Sequence, residues 1–150
     1  MDVTARSAAA DVAELQPVLG NARRYSFFQL GDLIHRHHGD DLERNSDDQP
    51  RQERIRFSAS AGLGFPGSDV VSALSPEHEH APYQMEVSFL GLHGSQSPLP
   101  GYYLEDLAWE AGQNLGIRRH FLDFFNHRLV TLFHRAWRKY RYYVRFQPGA

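Results

Sequence analysis

The chain has 150 residues, and its 16 Lys and Arg against 18 Asp and Glu leave a formal net charge of −2. With 41% hydrophobic and 13% aromatic residues it can bury one domain-sized core, which argues against global disorder. It has no cysteine, which excludes disulfides, a thiolate nucleophile and a cysteine-based zinc site. No run approaches the roughly 18 uninterrupted apolar residues of a membrane span, and Met1–Thr4 lacks a basic leader segment, so the chain reads as soluble and non-secreted.

The elements follow from hydrophobic spacing. Residues 4–19 are alanine-rich, with Val12, Leu15 and Leu19 at helical spacing, and read as a short or frayed helix limited by Pro17; residues 1–23 as a whole belong to a loosely held N-terminal stretch. Ser26 and Gln29 have the capping-box spacing, Tyr25 and Leu30 stand where a hydrophobic staple would sit, and Gly39 follows His38, so residues 26–38 are expected to be helical. The polar stretches 40–54 and 75–82 read as exposed loops. Between them Ile55, Phe57, Ala59 and Ala61 alternate with polar residues as in a half-buried strand, and Ser68 is placed to cap a short helical segment carrying Val70, Val71 and Leu74. Met85, Val87 and Phe89 alternate again, predicting a strand over 83–92, and residues 91–101 carry turn chemistry throughout.

Two helices finish the chain. Over 102–115, Leu104, Leu107, Ala108, Ala111 and Leu115 form an apolar side, and Trp109 falls on the acidic side opposite. Over 119–141, Leu122, Phe125, Leu129, Leu132, Phe133, Ala136, Trp137 and Tyr140 share an apolar arc expected to face the core, while His120, His127, Arg128, Thr131, His134, Arg135 and Arg138 form a wet basic arc. Phe124 lies inside the basic arc and Asn126 inside the apolar one. Asn126 is therefore expected to be a buried amide serving backbone groups of the 91–101 turn run, which should fold tightly against a helix. The fold class that results is α+β: several amphipathic helices on a small sheet, ending in a long C-terminal helix.

The charge is unevenly spread. Residues 1–117 hold 8 basic and 17 acidic side chains (net −9), and residues 118–150 hold 8 basic and 1 acidic (net +7). Such asymmetry concerns partners rather than fold. The histidines at 35, 37, 38, 78 and 80 invite a metal reading, but histidine near a helix C-terminus also suits the helix dipole, and no metal, cofactor or catalytic residue is assigned. Ser95 lacks the Gly-x-Ser-x-Gly elbow, and no phosphate-binding loop or dinucleotide fingerprint is present. The chain is read as non-enzymatic, without a small-molecule substrate. The basic final helix and its aromatics allow a nucleic-acid-binding module as the alternative, although a net charge of −2 supplies no overall basic field. Exposed Trp109 and Phe124 read either as partner anchors, with Arg128, Arg135 and Arg138 around them, or as aromatics packed beneath arginine stems.

Several segments taken in order resemble a known family: Arg24-Tyr25-Ser26-Phe27-Phe28-Gln29, then Ile55-Arg56-Phe57, Gly64-Phe65-Pro66 and Asp69-Val70. They continue with Val87 to Gly94, Pro98-Leu99-Pro100, and Phe121 to Leu129 through Phe133 to Tyr140. Together they are similar to the TssG (ImpH/VasB) subunits of type VI secretion baseplates, over most of residues 24–141 and in what looks like the N-terminal half of a longer family chain. The resemblance implies a structural protein of the bacterial cytoplasm, recruited to the inner-membrane-docked secretion complex. Its implied partners are two copies of TssF together with TssE and the adaptor TssK, assembled as a baseplate wedge that supports the contractile tail and effector delivery.

Overall fold

The structure is a computed structural model that describes residues 14–39, 53–78 and 81–141. The helix expected near the N-terminus is seen as α1 over residues 14–20. Pro17 does not end it, because Leu15 and Leu19 are buried in the core and hold the helix through that position. After a 3₁₀ turn at Ala22–Arg24, helix α2 spans Phe27–His37. The Gln29 N–H donates to Ser26 Oγ at 3.3 Å and the Ser26 N–H donates to Gln29 Oε1 at 3.2 Å, which satisfies two N-terminal donors at once. Gly39 takes a positive φ of 63° just beyond the helix and donates to the Arg36 carbonyl at 3.1 Å. The expected loops at 40–54 and 75–82 lie partly outside the described residues, at 40–52 and 79–80.

Three strands form one sheet in the order β1-β3-β2, with β1 at Ile55–Ala59, β2 at Val70–Leu74 and β3 at Tyr83–Val87. β1 pairs parallel to β3 with Ile55 opposite Tyr83 and Ala59 opposite Val87, and β2 pairs antiparallel to β3. One sheet face is apolar: Ile55, Phe57, Tyr83, Met85 and Val87 pack against Phe27, Leu30 and Ile34 of α2 and Leu15 and Leu19 of α1. The other carries Arg56, Ser72, Gln84 and Glu86.

Two expectations fail here. Residues 70–74 form a strand, not a helical segment, because a register irregularity between Val70 and Ser72 sends Val70 and Ala73 to the same buried side. Two buried residues three apart imitate helical periodicity, and the pairing partner that decides between the readings is β3, remote in sequence. The strand predicted to reach residue 92 stops at Val87. Beyond it Leu90 adopts φ 52° and the chain turns back. A Cβ on Gly94, at φ 92°, would lie 2.1 Å from the Ser60 carbonyl oxygen, so the turn run closes on the segment after β1 at a point only glycine fits.

Helix α3 (Gly101–Gly112) ends with Asn114 at φ 56°. The Leu115 N–H returns to the Glu110 carbonyl at 2.9 Å and the Asn114 N–H to Ala111 at 3.3 Å, a closing pattern that reverses the chain into helix α4 (Ile117–Lys139). Arg118 near the start of α4 pairs with Glu110 of α3. The molecule is thus α+β, with a three-stranded sheet and four α-helices among the described residues, the last of them long.

Candidate partner interface

Helix α4 lies along β1, and its two long faces behave oppositely to the sequence expectation. Its buried residues are Asn126, Val130, Thr131 and His134, three of them polar, whereas Phe121, Phe124, Phe125, Leu129 and Leu132 stand open to solvent. His127, Thr131 and His134 of the arc read as wet are turned inward, while His120 and Arg128 stay exposed, and Phe133 and Trp137 of the apolar arc still lie against Phe28.

The reason is the free edge of β1. Among the described residues this strand, in the order β1-β3-β2, has a neighbour on one side only, which leaves the outward N–H groups of Phe57 and Ala59 without a ladder partner there. α4 supplies them from side chains four residues apart. The Phe57 N–H donates to His127 Nδ1 at 3.1 Å and the Ala59 N–H to Asp123 Oδ1 at 3.0 Å, while Arg119 Nη2 donates to the Ala59 carbonyl at 3.4 Å. Four helical residues rise about 6 Å and two strand residues about 6.6 Å, so the two repeats stay in step over this length. Because His127 Nδ1 accepts, its Nε2 carries the proton, and that nitrogen meets Glu53.

Asp123 is the hub. Its Oδ1 also accepts from His93 Nε2 at 3.1 Å and from Asn126 Nδ2 at 3.1 Å, and Asn126 Oδ1 accepts the Leu92 N–H at 2.9 Å. Asn126 is wholly buried and ties the 91–101 turn run to α4. Burial opposes the charge on Asp123, but the hydrogen bonds from His93, Ala59 and Asn126 outweigh it and hold the carboxyl below its ordinary pKa. His134, further along the same face, lies among Phe27, Phe28 and Trp137 with Gly31 of α2 close against its ring. Burial, aided by Arg138, lowers its pKa to about 4, so it is neutral near pH 7.

The remaining residues singled out in sequence are spread over α4 and α3. Phe124 is 73% exposed and Trp109 on α3 64% exposed, so neither is packed beneath an arginine stem. Arg128 is exposed, while Arg135 and Arg138 are half-buried, Arg138 on the side of His134. Trp137 stacks on Phe28 at 4.2 Å between ring centroids, which removes it from any base-stacking surface. Of the histidines at the end of α2, His35 is buried near His134, whereas His37 and His38 lie edge to face with ring centroids 5.2 Å apart and His38 Nε2 meets the Tyr83 hydroxyl at 2.8 Å. Among the described residues no three His, Asp or Glu side chains converge as a metal site would require.

Several polar side chains of α4 hold the fold, and several of its apolar ones are exposed. The sequence profile described as "Type VI secretion, TssG" matches residues 21–150, and the chain belongs to that family, a structural component of type VI secretion. Compared with curated proteins and with solved structures, it has no significant match. No helix among the described residues is long and apolar enough to cross a membrane.

Proposed function

We propose that the chain acts as a structural, non-enzymatic part of the baseplate wedge. In this reading residues 1–150 correspond to the N-terminal part of a TssG subunit. It assembles in the cytoplasm with two copies of TssF, with TssE and with TssK, and is recruited to the inner-membrane-docked complex to support the contractile tail. The outer side of α4 together with Trp109 of α3 is its docking surface, with Phe124 and Trp109 as anchors, Arg128 and Arg135 as flanking charges and Arg138 at the margin toward His134.

The observation that carries this reading is the row Phe121, Phe124, Phe125, Leu129 and Leu132 left open on a helix whose inner side packs on β1. Aromatic anchors surrounded by charge are characteristic of interface centres, and leaving such a row in water forgoes burial worth about 25 cal/mol per Å². The test is co-purification with the TssF homologue. Wild-type chain is expected to retain it and Phe124→Asp to lose it, with the far-UV spectrum unchanged; an intact complex in the variant refutes the location.

A further inference from the structure

Where the parallel strands β1 and β3 reach their carboxyl ends, a cavity lies between residues 60–68 and the turn run at 91–96. It measures about 470 Å³, within the size range of ligand sites, and none of its lining residues belongs to α4. It is therefore a second surface, separate from the docking face on that helix and not dependent on it.

The lining divides by chemistry. Phe65, Pro66 and Val71 give it an apolar side, and Phe65 is 99% exposed, the most open of the large hydrophobic residues described. Arg23 supplies the charge. Its Nε donates to the Val71 carbonyl at 2.9 Å, which fixes the guanidinium against β2, and among the described residues no ion pair engages its other two nitrogens. No Asp or Glu is among the lining residues. A carbonyl orients a guanidinium without neutralising it, so the cavity holds a positioned positive charge with no counter-charge in its walls.

Two features of this lining serve nothing within the fold. A Cβ on Gly64 or Gly67 would meet nothing within 4 Å, and neither residue takes a positive φ, so a side chain would fit at both; its absence keeps the cavity rim open. His93 also lines the cavity, buried, with Nε2 spent on Asp123 and Nδ1 left without a hydrogen-bond partner. Because Nε2 donates, the neutral ring holds Nδ1 as an acceptor, and a buried acceptor without a donor is costly.

An inorganic anion would meet Arg23 and leave Phe65, Pro66 and Val71 uncovered. A simple organic acid would cover them and offer no N–H. We propose that the cavity takes a short extended segment of another polypeptide in which an apolar side chain stands beside a carboxylate. The carboxylate pairs with the terminal nitrogens of Arg23, the apolar side chain lies against Phe65 and Val71, and a main-chain N–H supplies the donor that His93 Nδ1 lacks.

The test is amide NMR of the isotopically labelled full chain, titrated with the capped peptide acetyl-Ala-Leu-Asp-Ala-amide, its Leu-Asn counterpart, and hexanoate. The aspartyl peptide is expected to shift the amides of Gly62, Gly64, Gly67 and Gly91, which line the cavity. At low salt it should bind about fivefold more tightly than the asparaginyl peptide, with the gap narrowing as salt rises, and more tightly than hexanoate. Arg23→Gln should remove the difference between the peptides. Phe65→Ser, at a ring that lies in solvent, should weaken both alike, with melting temperatures reporting the fold of each variant. Should Arg23→Gln fail to fold, the peptide preference of the wild-type chain and the Phe65→Ser loss still decide. Unmoved cavity glycines, equal binding of the two peptides, hexanoate as effective as the aspartyl peptide, unweakened binding in Phe65→Ser, or a preference that survives in folded Arg23→Gln overturns the proposal. None of these outcomes bears on the TssF complex, which tests α4.

Discussion

The two faces of α4 are built from the same 23 residues and solve opposite problems. The inner face must satisfy an edge strand, whose fixed N–H and C=O groups cannot be left dry, and it does so with Arg119, Asp123 and His127. The outer face has no backbone to satisfy and is free to be apolar. A polar side chain on a helix is therefore no guarantee of solvent contact where the neighbouring element is an unpaired strand edge, and an apolar one is no guarantee of the core. The contrast predicts that inner-face substitutions act on stability and outer-face ones on assembly.

The largest stability effect is expected at Asp123. Asp123→Ala leaves the Ala59 N–H, His93 and Asn126 without their shared acceptor, and should cost about 3 kcal/mol or more in urea unfolding. A loss below about 1 kcal/mol would mean that the helix covers the strand edge without holding it.

Acid should come next. His134 has a folded pKa of about 4 against an ordinary 6.5, so between these values the unfolded chain binds the extra proton. Its contribution is complete above about pH 6.5 and is lost as pH falls toward 4, an effect on the order of 3 kcal/mol. Asp123, whose pKa is lowered, adds a loss of the same sign in stronger acid. His134→Leu should flatten the stability profile between pH 6.5 and 4 relative to wild type, and parallel profiles would falsify the buried neutral state.

Asn126→Leu should destabilise by about 1–3 kcal/mol, since it strands the Leu92 N–H and releases the turn run from α4. An unchanged melting temperature would show that this amide is dispensable. The smallest effect on the isolated chain is expected from Phe124→Asp, within about 0.5 kcal/mol of wild type because the ring is mostly in solvent. Its consequence should instead appear in the assembly assay, and a strongly destabilised Phe124→Asp chain would return that ring to the core.

Much of the fold was legible because it is locally encoded. The Ser26 and Gln29 cap, the stop at Gly39 and the alternation of Ile55, Phe57 and Ala59 each rest on neighbours within a few residues. Asn126 stood out as an exception to its own helix pattern, and its environment is that of a buried, hydrogen-bonded amide. The inner site was not legible as a site. A faint signal existed in Arg119, Asp123 and His127 at steps of four, but reading it requires knowing that β1 is an edge strand and that α4 lies beside it.

The sequence by itself determined the α+β class, most element positions, the charge division between body and final helix, and the family resemblance. These depend on periodicity, capping and composition, which act over one or two turns. Only the tertiary structure decided that residues 70–74 pair as a bulged strand, that β3 ends at Val87, and which way α4 turns. The orientation of α4 was settled by hydrogen-bond satisfaction. An unpaired backbone N–H costs about as much to bury as a sizeable apolar side chain gains, so the strand edge claimed the polar face and left the apolar one outward.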